Sequence, residues 1–524
     1  MPACSENARR PKPGAEAAAG ALAVIQLARL GDFLQSTPLL AALRQRHRPD
    51  SLSVVVAPAQ APLARACRFV DEALSLDPAC LLAAAQAAGQ PRRLRRARLL
   101  GQLKPLWSRP QDLVLNLNLS EPAALVAAGW PGARLAGWRP GPGPGQRLQG
   151  EPWTPFIMSL LSDRRLTRLH LSDILASYAE PEGPPLAALD FQVPAWAFKR
   201  ARELAPAGRP RVALQLGANN DLRRWPVRSF AGLTQGLARQ GASLLLVGSA
   251  AEAPLARRLL AALGPAAGAV ANLMGRTDLP TLAALLAEAD LVVSADTGTL
   301  HLATAVGARC LALFMGPAQV HETGPYGAGH LVLQARDQCG PCQENNPACA
   351  GKAPCRRLIR VQAALAAALG LLAGDPPETI VRGLDPPPGV ETLLGAMDGF
   401  GQRYQPLLPR PLPASEGLAL ALREAGRTLL RPAYSHGAEG LTRELAGGHL
   451  PPTPAGRQDM EELAQAAAAL AQAAGAGDAL ACRRLAGRAP GLAPLAAQAG
   501  PMAPPRLEAA CRAAAATLEV ASNL

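Results

Sequence analysis

Short runs of apolar, often β-branched residues alternate along the first 375 positions with longer segments in which apolar residues recur at helical spacing. The apolar runs have the length of strands buried on both faces, and turns of small or polar residues follow them. This alternation predicts parallel sheets covered by helices on both sides. The predicted strands lie at residues 22–27, 52–56, 112–117, 212–216, 243–247, 291–294 and 310–314.

A proline-containing break at residues 181–194 divides this alternation into two runs. The sequence therefore predicts a disordered leader at 1–21, a first α/β domain at 22–194 and a second at 195–375. Two such domains joined by a linker enclose a cleft. Ligands of open parallel sheets bind at the carboxyl ends of the strands, so the cleft is the expected site.

Residues 376–524 are interrupted by prolines and rich in alanine, and they lack the α/β alternation. They predict a mainly helical extension with few large apolar residues to bury, packed weakly against the two-domain body or bound to a partner. We expect it to take no part in catalysis, so that a chain ending after Asp375 stays folded. The helix at 361–372 is then the candidate to cross back to the first domain.

Charge is distributed unevenly along the chain. The 524 residues carry a formal net charge of +13, yet residues 376–524 contain 13 Arg and Lys against 14 Asp and Glu. The first 375 residues therefore carry the surplus, which favours an anionic partner there. No basic stripe interleaved with aromatic residues is present, which speaks against nucleic acid. A lipid headgroup or a phosphorylated saccharide fits better.

The segment 91–110, PRRLRRARLLGQLKPLWSRP, has seven basic residues and no acidic one. Its leucines would pack a helix whose basic face is simply solvated. The alternative is contact with an anionic membrane surface or a phosphorylated acceptor. Both interpretations remain open at this point. The first 20 residues lack the apolar core of a secretion signal, and ten cysteines are too few for a disulfide scaffold, so the expected location is the cytoplasm.

The stretch 289–307, ADLVVSADTGTLHLATAVG, is a buried strand that ends in Asp296-Thr297-Gly298 and continues as a helix. The free N–H groups of such a helix start favour a phosphate, and Gly298 would allow close approach of a ligand. His301 lies on the first helical turn and faces the same space. An ordinary strand–helix turn with a solvated histidine explains the residues equally well.

Five collinear segments complete a pattern: 24–44, 214–233, 244–259, 272–307 and 312–327. Together they resemble glycosyltransferase family 9, the ADP-heptose:lipopolysaccharide heptosyltransferases, over residues 22–372. The resemblance implies a GT-B architecture, with two Rossmann-like domains, the acceptor on the first and the nucleotide sugar on the second. It also implies an inverting transfer without a cofactor or a metal.

The resemblance assigns roles to single residues. Asp32, beside Gly31 on the acceptor side, matches the catalytic base, which the motif favours over the alternative role of a helix N-cap. Asp296, Thr297, Gly298 and His301 match the donor site, where N–H groups near Thr297 and Gly298 would meet the phosphates and His301 would add a hydrogen bond or a charge.

Two further donor residues carry their own alternatives. Glu252 matches a carboxylate near the ribose or base, with helix capping as the other interpretation. The family usually has Lys where this chain has Arg223, two residues before Trp225. Arginine keeps the charge and offers a fork to phosphate, so we expect diphosphate binding to persist with altered geometry. We expect Trp225 to be a packing residue.

Four cysteines, Cys339, Cys342, Cys349 and Cys355, are spaced C-x2-C-x6-C-x5-C. Four thiolates suffice for a tetrahedral zinc site, and a reduced or redox-active loop is the alternative. The resemblance supplies no metal role for them.

The sequence therefore predicts a transfer of heptose from ADP-heptose to a lipopolysaccharide inner-core acceptor, an anionic lipid-linked saccharide, with a peripheral position on the cytoplasmic face of the inner membrane left open. A family member with another nucleotide sugar or a non-lipid acceptor is the nearest alternative. A Rossmann-type oxidoreductase is disfavoured because ARLGD, not G-x-G-x-x-G, follows the first strand. A catalytically dead binding module is disfavoured by Asp32 and His301.

Overall fold

A computed structural model of the chain gives two α/β domains and a mainly helical C-terminal part. The structure describes residues 20–79, 83, 92–143, 146–179, 186, 188–336, 342, 349, 353–384, 388–408, 410–411, 414–431, 449–450, 452–496, 498, 502 and 504–522. The predicted leader therefore lies outside the described residues, apart from its last two positions.

The first domain is built on a parallel sheet of five strands within the described part of the chain, in the order β3-β2-β1-β4-β5. Buried aliphatic residues fill β1, β2 and β4, as expected for strands covered on both faces. The chain reverses direction across the sheet between β1 and β4. The strands are β1 (Ala21–Gln26), β2 (Ser51–Val56), β3 (Glu72–Ser75), β4 (Leu113–Asn116) and β5 (Arg134–Gly137), followed by the hairpin β6 (Arg139–Gly143) and β7 (Gln146–Gln149).

Helices cover this sheet and continue beyond it. The segment with seven basic residues forms α4, whose Leu103 and Leu106 are buried against the sheet. The helices are α1 (Leu30–Gln35), α2 (Thr37–His47), α3 (Ala61–Arg65), α4 (Arg92–Trp107), α5 (Glu121–Ala128), α6 (Thr154–Ser162) and α7 (Leu171–Ala176).

The second domain has a sheet of eight described strands in the order β10-β9-β8-β11-β12-β13-β14-β15. The strands from β10 to β13 are parallel, and its reversal point lies between β8 and β11. The strands are β8 (Arg211–Gln215), β9 (Ser243–Val247), β10 (Val270–Asn272), β11 (Leu291–Ser294), β12 (Cys310–Phe314), β13 (Leu331–Ala335), β14 (Val390–Met397) and β15 (Gln402–Pro406).

The helices of the second domain pack on both faces of this sheet. They are α8 (Ala195–Leu204), α9 (Val227–Arg239), α10 (Ala253–Leu263), α11 (Leu279–Ala287), α12 (Gly298–Ala305), α13 (Val320–Thr323), α14 (Val361–Ala373) and α15 (Pro377–Leu384).

The predicted boundary at residue 375 is wrong. Strand β14 pairs antiparallel with β13, Leu331 lying opposite Leu394, and β15 pairs with β14. The second domain therefore extends to residue 406. No α/β alternation is visible in this part of the sequence because the two added strands form an antiparallel pair joined by a short turn, without a helix between them.

The rest of the chain is mainly helical, as predicted, but it does not pack weakly. Its helices share one buried cluster with Trp153, Phe156 and Ile157 on and just before α6, and Met460, Leu470, Leu507 and Leu518 lie inside that cluster. The elements are α16 (Ala414–Leu430), α17 (Pro454–Gly475), α18 (Ala479–Arg488), α19 (Ala493–Ala496) and α20 (Pro504–Ser522), with a short pair β16 (Arg410–Pro411) and β17 (His449–Leu450).

The helix at 361–372 does not cross to the first domain. As α14 it lies on α9 of its own domain, where Val361 and Leu365 pack over Gly232 and Gly236. Of the C-terminal helices, α16 and α19 contact the first domain instead. Alanine-rich helices can do this because small side chains let the helix axes approach closely, which buries area that single large residues do not supply.

Candidate functional site

A cavity of about 420 Å³ lies between the two domains. It opens at the carboxyl ends of β1 in the first sheet and of β8, β9 and β11 in the second, at the reversal point of each sheet. The structure brings together all the predicted catalytic, donor and acceptor-side residues, each of which lines this cavity: Gly31, Asp32, Arg223, Glu252, Asp296, Thr297, Gly298 and His301.

Asp32 lies in the first turn of α1 and takes part in capping that helix. Its Oδ2 accepts a hydrogen bond of 2.9 Å from the backbone N–H of Arg29, which is the N-cap residue. Burial raises the pKa of Asp32 above its ordinary value, although the Arg29 N–H lowers it, and the negative charge of Asp296 raises it further. A carboxylate with a raised pKa that faces a cavity has the properties of a general base.

The N-terminus of α12 faces the cavity from the second domain. Thr297 caps the helix, with its side chain accepting from the N–H of Leu300 at 3.4 Å, and Ser294 lies 3.0 Å from the Thr297 hydroxyl. The first N–H groups of an α-helix have no partner within the helix, and they attract anions. Gly298 and Thr299 are the first residues of α12 at this point.

Arg223 supplies a cation beside this helix start. Its Nη1 lies 2.5 Å from Oδ2 of Asp296, and the Thr323 hydroxyl donates to the same oxygen at 3.2 Å. Asp296 therefore holds the guanidinium at the mouth of α12. The arginine that stands where the resemblance places a lysine thus borders the cavity, with its positive charge beside the helix start.

His301 is buried at the contact between the domains. Burial and, to a smaller extent, the charge of Arg223 together lower the pKa of His301 to about 4. The ring is therefore neutral at neutral pH. Its Nε2 lies 3.8 Å from Oδ1 of Asp296, and its Nδ1 has no hydrogen-bond partner among the described residues. Of the two predicted contributions, hydrogen bonding is available and a positive charge is not.

Glu252 lines the cavity but is already occupied by its own loop. Its Oε2 accepts from the N–H and hydroxyl of Ser249, at 2.7 and 2.9 Å, in a capping box. Its Oε1 accepts from the Gln215 amide at 2.9 Å. Capping, the alternative from sequence, is therefore present, and the same carboxylate still borders the cavity.

Several cavity residues were missed from the sequence. Arg29 and Gln35 lie on either side of Asp32, Gln215 ends β8, and Thr323 ends α13. Thr323 lay inside a segment that carried the family resemblance, so only its orientation was lacking. Gln215 also lay inside such a segment, 214–233, but a polar residue at the end of a strand is common and did not single it out.

The cysteine cluster is described only in part. Cys342, Cys349 and Cys355 are buried, and Cys339 lies outside the described residues. Among described residues no group of three or more His, Cys, Asp or Glu could hold a metal ion. The zinc site therefore stays a prediction. Trp225 is fully buried and donates its indole N–H to the Ile359 carbonyl at 3.1 Å, which confirms a packing role.

Comparison with known proteins bears on both the sequence and the fold. The family model for glycosyltransferase family 9 (heptosyltransferase) matches residues 111–351. The lipopolysaccharide heptosyltransferase 1 of Pseudomonas aeruginosa is 35% identical over 139 residues, 26% of this chain and 38% of that protein. The chain thus aligns with little more than a third of the length of the curated relatives it matches.

Solved structures match a larger share of the chain. The Escherichia coli ADP-heptose lps heptosyltransferase II superposes with a TM-score of 0.51 at 23% identity, over 68% of this chain and 99% of that one. A glycosyltransferase family 9 protein from Veillonella parvula gives a TM-score of 0.53 at 18% identity, over 68% and 98%.

At these identities the two structural matches establish the fold alone, which confirms the predicted GT-B architecture with a helical C-terminal part. No helix in the described part of the chain has both the length and the apolar character needed to cross a bilayer. The family match and the curated relatives confirm the resemblance drawn from the sequence: residues 111–351 match the model of glycosyltransferase family 9.

Proposed function

We propose that the protein is an inverting glycosyltransferase that moves heptose from ADP-heptose to an inner-core lipopolysaccharide acceptor. One observation carries the proposal. Asp32 of the first domain and the N-terminus of α12 in the second domain border one cavity, with Arg223 beside them. A base on one side and an anion-binding helix start on the other are what sugar transfer from a nucleotide diphosphate requires.

The second domain would bind the donor. The N–H groups at Thr297–Thr299 and the guanidinium of Arg223 would hold the two phosphates, and His301 would add a neutral hydrogen bond. The names of the relatives, which include an ADP-heptose lps heptosyltransferase, support ADP-heptose as the donor. Because these residues neutralise the leaving diphosphate themselves, we expect transfer to continue in the presence of a chelator.

The first domain would bind the acceptor. Asp32 would take the proton from the acceptor hydroxyl as the acceptor oxygen forms a bond to the anomeric carbon of the sugar. The bond from that carbon to the ADP oxygen would break in the same step. With the base and the leaving group on opposite sides of the cavity, attack from the first domain would invert the anomeric carbon. The basic surplus of the first 375 residues suits an anionic lipid-linked saccharide, reached at the cytoplasmic face of the inner membrane.

Replacing Asp32 tests the proposal. Asp32→Asn keeps the size of the side chain but removes the base, so transfer should fall by about 100-fold or more while ADP binding stays near the wild-type value. Because burial raises the pKa of Asp32, its carboxylate becomes protonated at a higher pH than an ordinary aspartate. Wild-type turnover should therefore begin to fall at pH values above the ordinary aspartate pKa as the pH is lowered. Release of ADP, UDP or GDP from candidate nucleotide sugars is the measurement.

Asp50→Asn is the matched control, since Asp50 is exposed and outside the cavity. It should behave as wild type. Preserved turnover in Asp32→Asn, or release of UDP or GDP but not ADP by the wild type, would contradict the assignment of the base or of the donor, respectively.

A further inference from the structure

A second cavity, of about 890 Å³, lies in the first domain. It is bordered by residues 26–28 at the end of β1 and by residues 117–119 after β4, the two strands between which the order of the sheet reverses. Crevices at such a reversal point are where parallel sheets bind ligands. Asp32 borders this cavity as well as the one between the domains, so a molecule held here lies against Asp32 from the acceptor side.

The walls of this acceptor pocket are mainly apolar. Leu99, Leu103 and Trp107 contribute from α4, and Leu125 contributes from α5. The indole N–H of Trp107 donates to a backbone carbonyl at 3.0 Å, so the ring presents only its apolar surface. Such walls are unfavourable for a saccharide, because its hydroxyl groups would lose their hydrogen bonds to water there.

Two large apolar side chains at the edge of the pocket remain exposed. Leu119 is 54% and Leu125 is 56% exposed. Exposed leucines that border one apolar cavity form a continuous apolar surface, and such surfaces mark binding sites. A hydrocarbon chain would bury both residues as it enters.

The same helix that walls the pocket carries positive charge on its outer side. Arg93, Arg96, Arg98 and Lys104 of α4 are all exposed, whereas Leu103 and Leu106 are buried. Because these basic residues do not line the pocket, they would face the anionic membrane surface that holds the ligand, while its hydrocarbon chain enters the pocket on the other side of α4. This charge complementarity selects an anionic amphiphile.

We propose that the acceptor pocket binds a hydrocarbon chain of an anionic, lipid-linked acceptor within the first domain, so that the chain leaves the bilayer and positions the headgroup for Asp32. The inference rests on the proposed function and adds to it a substrate class, an acceptor recognised by its lipid chain as well as by its sugar. The pocket volume lies within the range of about 300–1,000 Å³ typical of small-molecule sites.

Binding of simple probes tests the proposal on the full chain. A single-chain anionic lipid, palmitoyl lysophosphatidylglycerol below its micellar concentration, is titrated in a calorimeter beside its chain-free headgroup, glycerophosphoglycerol. The lysolipid should bind at least about tenfold more tightly than the headgroup. The double variant Leu119→Gln/Leu125→Gln, altered only at exposed positions, should bind the lysolipid about tenfold more weakly. Leu161→Gln, an exposed leucine outside the pocket, is the matched control and should bind as wild type.

Equal affinity for lysolipid and headgroup overturns the proposal. So does tight lysolipid binding that Leu119→Gln/Leu125→Gln leaves unchanged, because the lipid then lies on the basic surface and not in the pocket. ADP affinity, measured on the same samples, reports the cavity between the domains separately. Lost ADP binding with intact lysolipid binding would refute the proposed donor, whereas the reverse would refute only the lipid pocket.

Discussion

Two of the places where the two domains meet are built in opposite ways. At the cavity, α1 lies against α12, and we name this junction the cleft contact, formed by Leu30 and Gly31 with Gly298 and His301. Elsewhere, residues 164–173 of the first domain meet residues 322–326 and 402 of the second domain and residue 416 of α16. We name this junction the buried seam.

The cleft contact depends on missing side chains. A Cβ on Gly31 would lie 2.7 Å from Cδ2 of His301, and one on Gly298 would lie 2.8 Å from Cδ2 of Leu30. Both distances are shorter than carbon atoms tolerate. The two glycines therefore let the helix that carries Asp32 approach the helix that Thr297 caps, and the approach itself shapes the cavity.

The buried seam depends on charged and polar side chains. Arg164 pairs with Glu322 at 3.0 Å, and Arg168 pairs with Glu416 at 2.7 Å. Asp173 accepts from the Tyr326 hydroxyl at 2.9 Å and from the Gln402 N–H at 2.8 Å.

Breaking such buried pairs costs more than forming them gains, because each leaves a charge without its partner. We therefore expect changes at the seam to alter stability, and changes at the cleft contact to alter turnover with little effect on stability.

Removing the C-terminal part should have the largest effect, because it deletes Gln402 and Glu416 from the seam and two strands from the second sheet. A chain ending after Asp375 loses β14 and β15, and with them Gln402, Glu416 and the Tyr404 hydroxyl that donates to Pro325. The open edge of β13 and the uncovered cluster around Phe156 should make the product insoluble. Soluble yield and size-exclusion chromatography beside the full chain are the measurement. A soluble shortened chain that binds ADP normally would show that the seam is dispensable.

Filling the cleft contact should have the next largest effect, on turnover. In Gly31→Ala the new methyl group pushes α1 from His301, and a displacement of about 1 Å at a reacting group can cost about 100-fold in rate. The midpoint of thermal unfolding should change little, because alanine stabilises a helix relative to glycine by about 1 kcal/mol, which offsets the cost of moving α1.

The matched control for this change is Gly383→Ala in α15, where no atom lies within 4 Å of the new methyl group. It should leave steady-state turnover unchanged. Wild-type turnover in Gly31→Ala would mean that the domains already adjust freely at the cleft, contrary to the comparison.

The contrast also explains what the sequence could predict. The cleft contact is made by local motifs, ARLGD and SADTG, whose strand–turn–helix pattern places Asp32 and Thr297 at the carboxyl ends of strands. Such placement follows from short-range pattern and turn chemistry at residues 296–301, whereas the family resemblance supplied the candidate roles of Asp32, Arg223 and Glu252.

The seam could not be predicted in this way. Arg168 and Glu416 are 248 residues apart, and a charged residue in either segment alone suggests solvent exposure. The added strands β14 and β15 carry charged and glycine positions that weaken the strand signal. The C-terminal core is built from alanines, which pack well only when the helix partners are known.

Titration of the seam should give the smallest effect, visible only as a pH dependence. Burial raises the pKa of Asp173, and the Gln402 N–H, the Tyr326 hydroxyl and the charges of Arg431 and Arg427 offset part of the rise. The resulting pKa is about 7. The folded state then holds a proton between about pH 4 and pH 7 that the unfolded state has released, so this group's contribution to stability falls as pH rises through that window, by up to about 1.4 kcal/mol per pH unit. Asp173→Asn cannot titrate, so the wild type should exceed it in free energy of unfolding by more at about pH 5 than at about pH 8. Tyr326→Phe, which keeps the carboxyl and removes one donor, should retain the slope and extend it to higher pH. Denaturant unfolding at both pH values is the measurement. Parallel pH dependence in wild type and Asp173→Asn would show that the Asp173 carboxyl does not contribute to the pH dependence of stability.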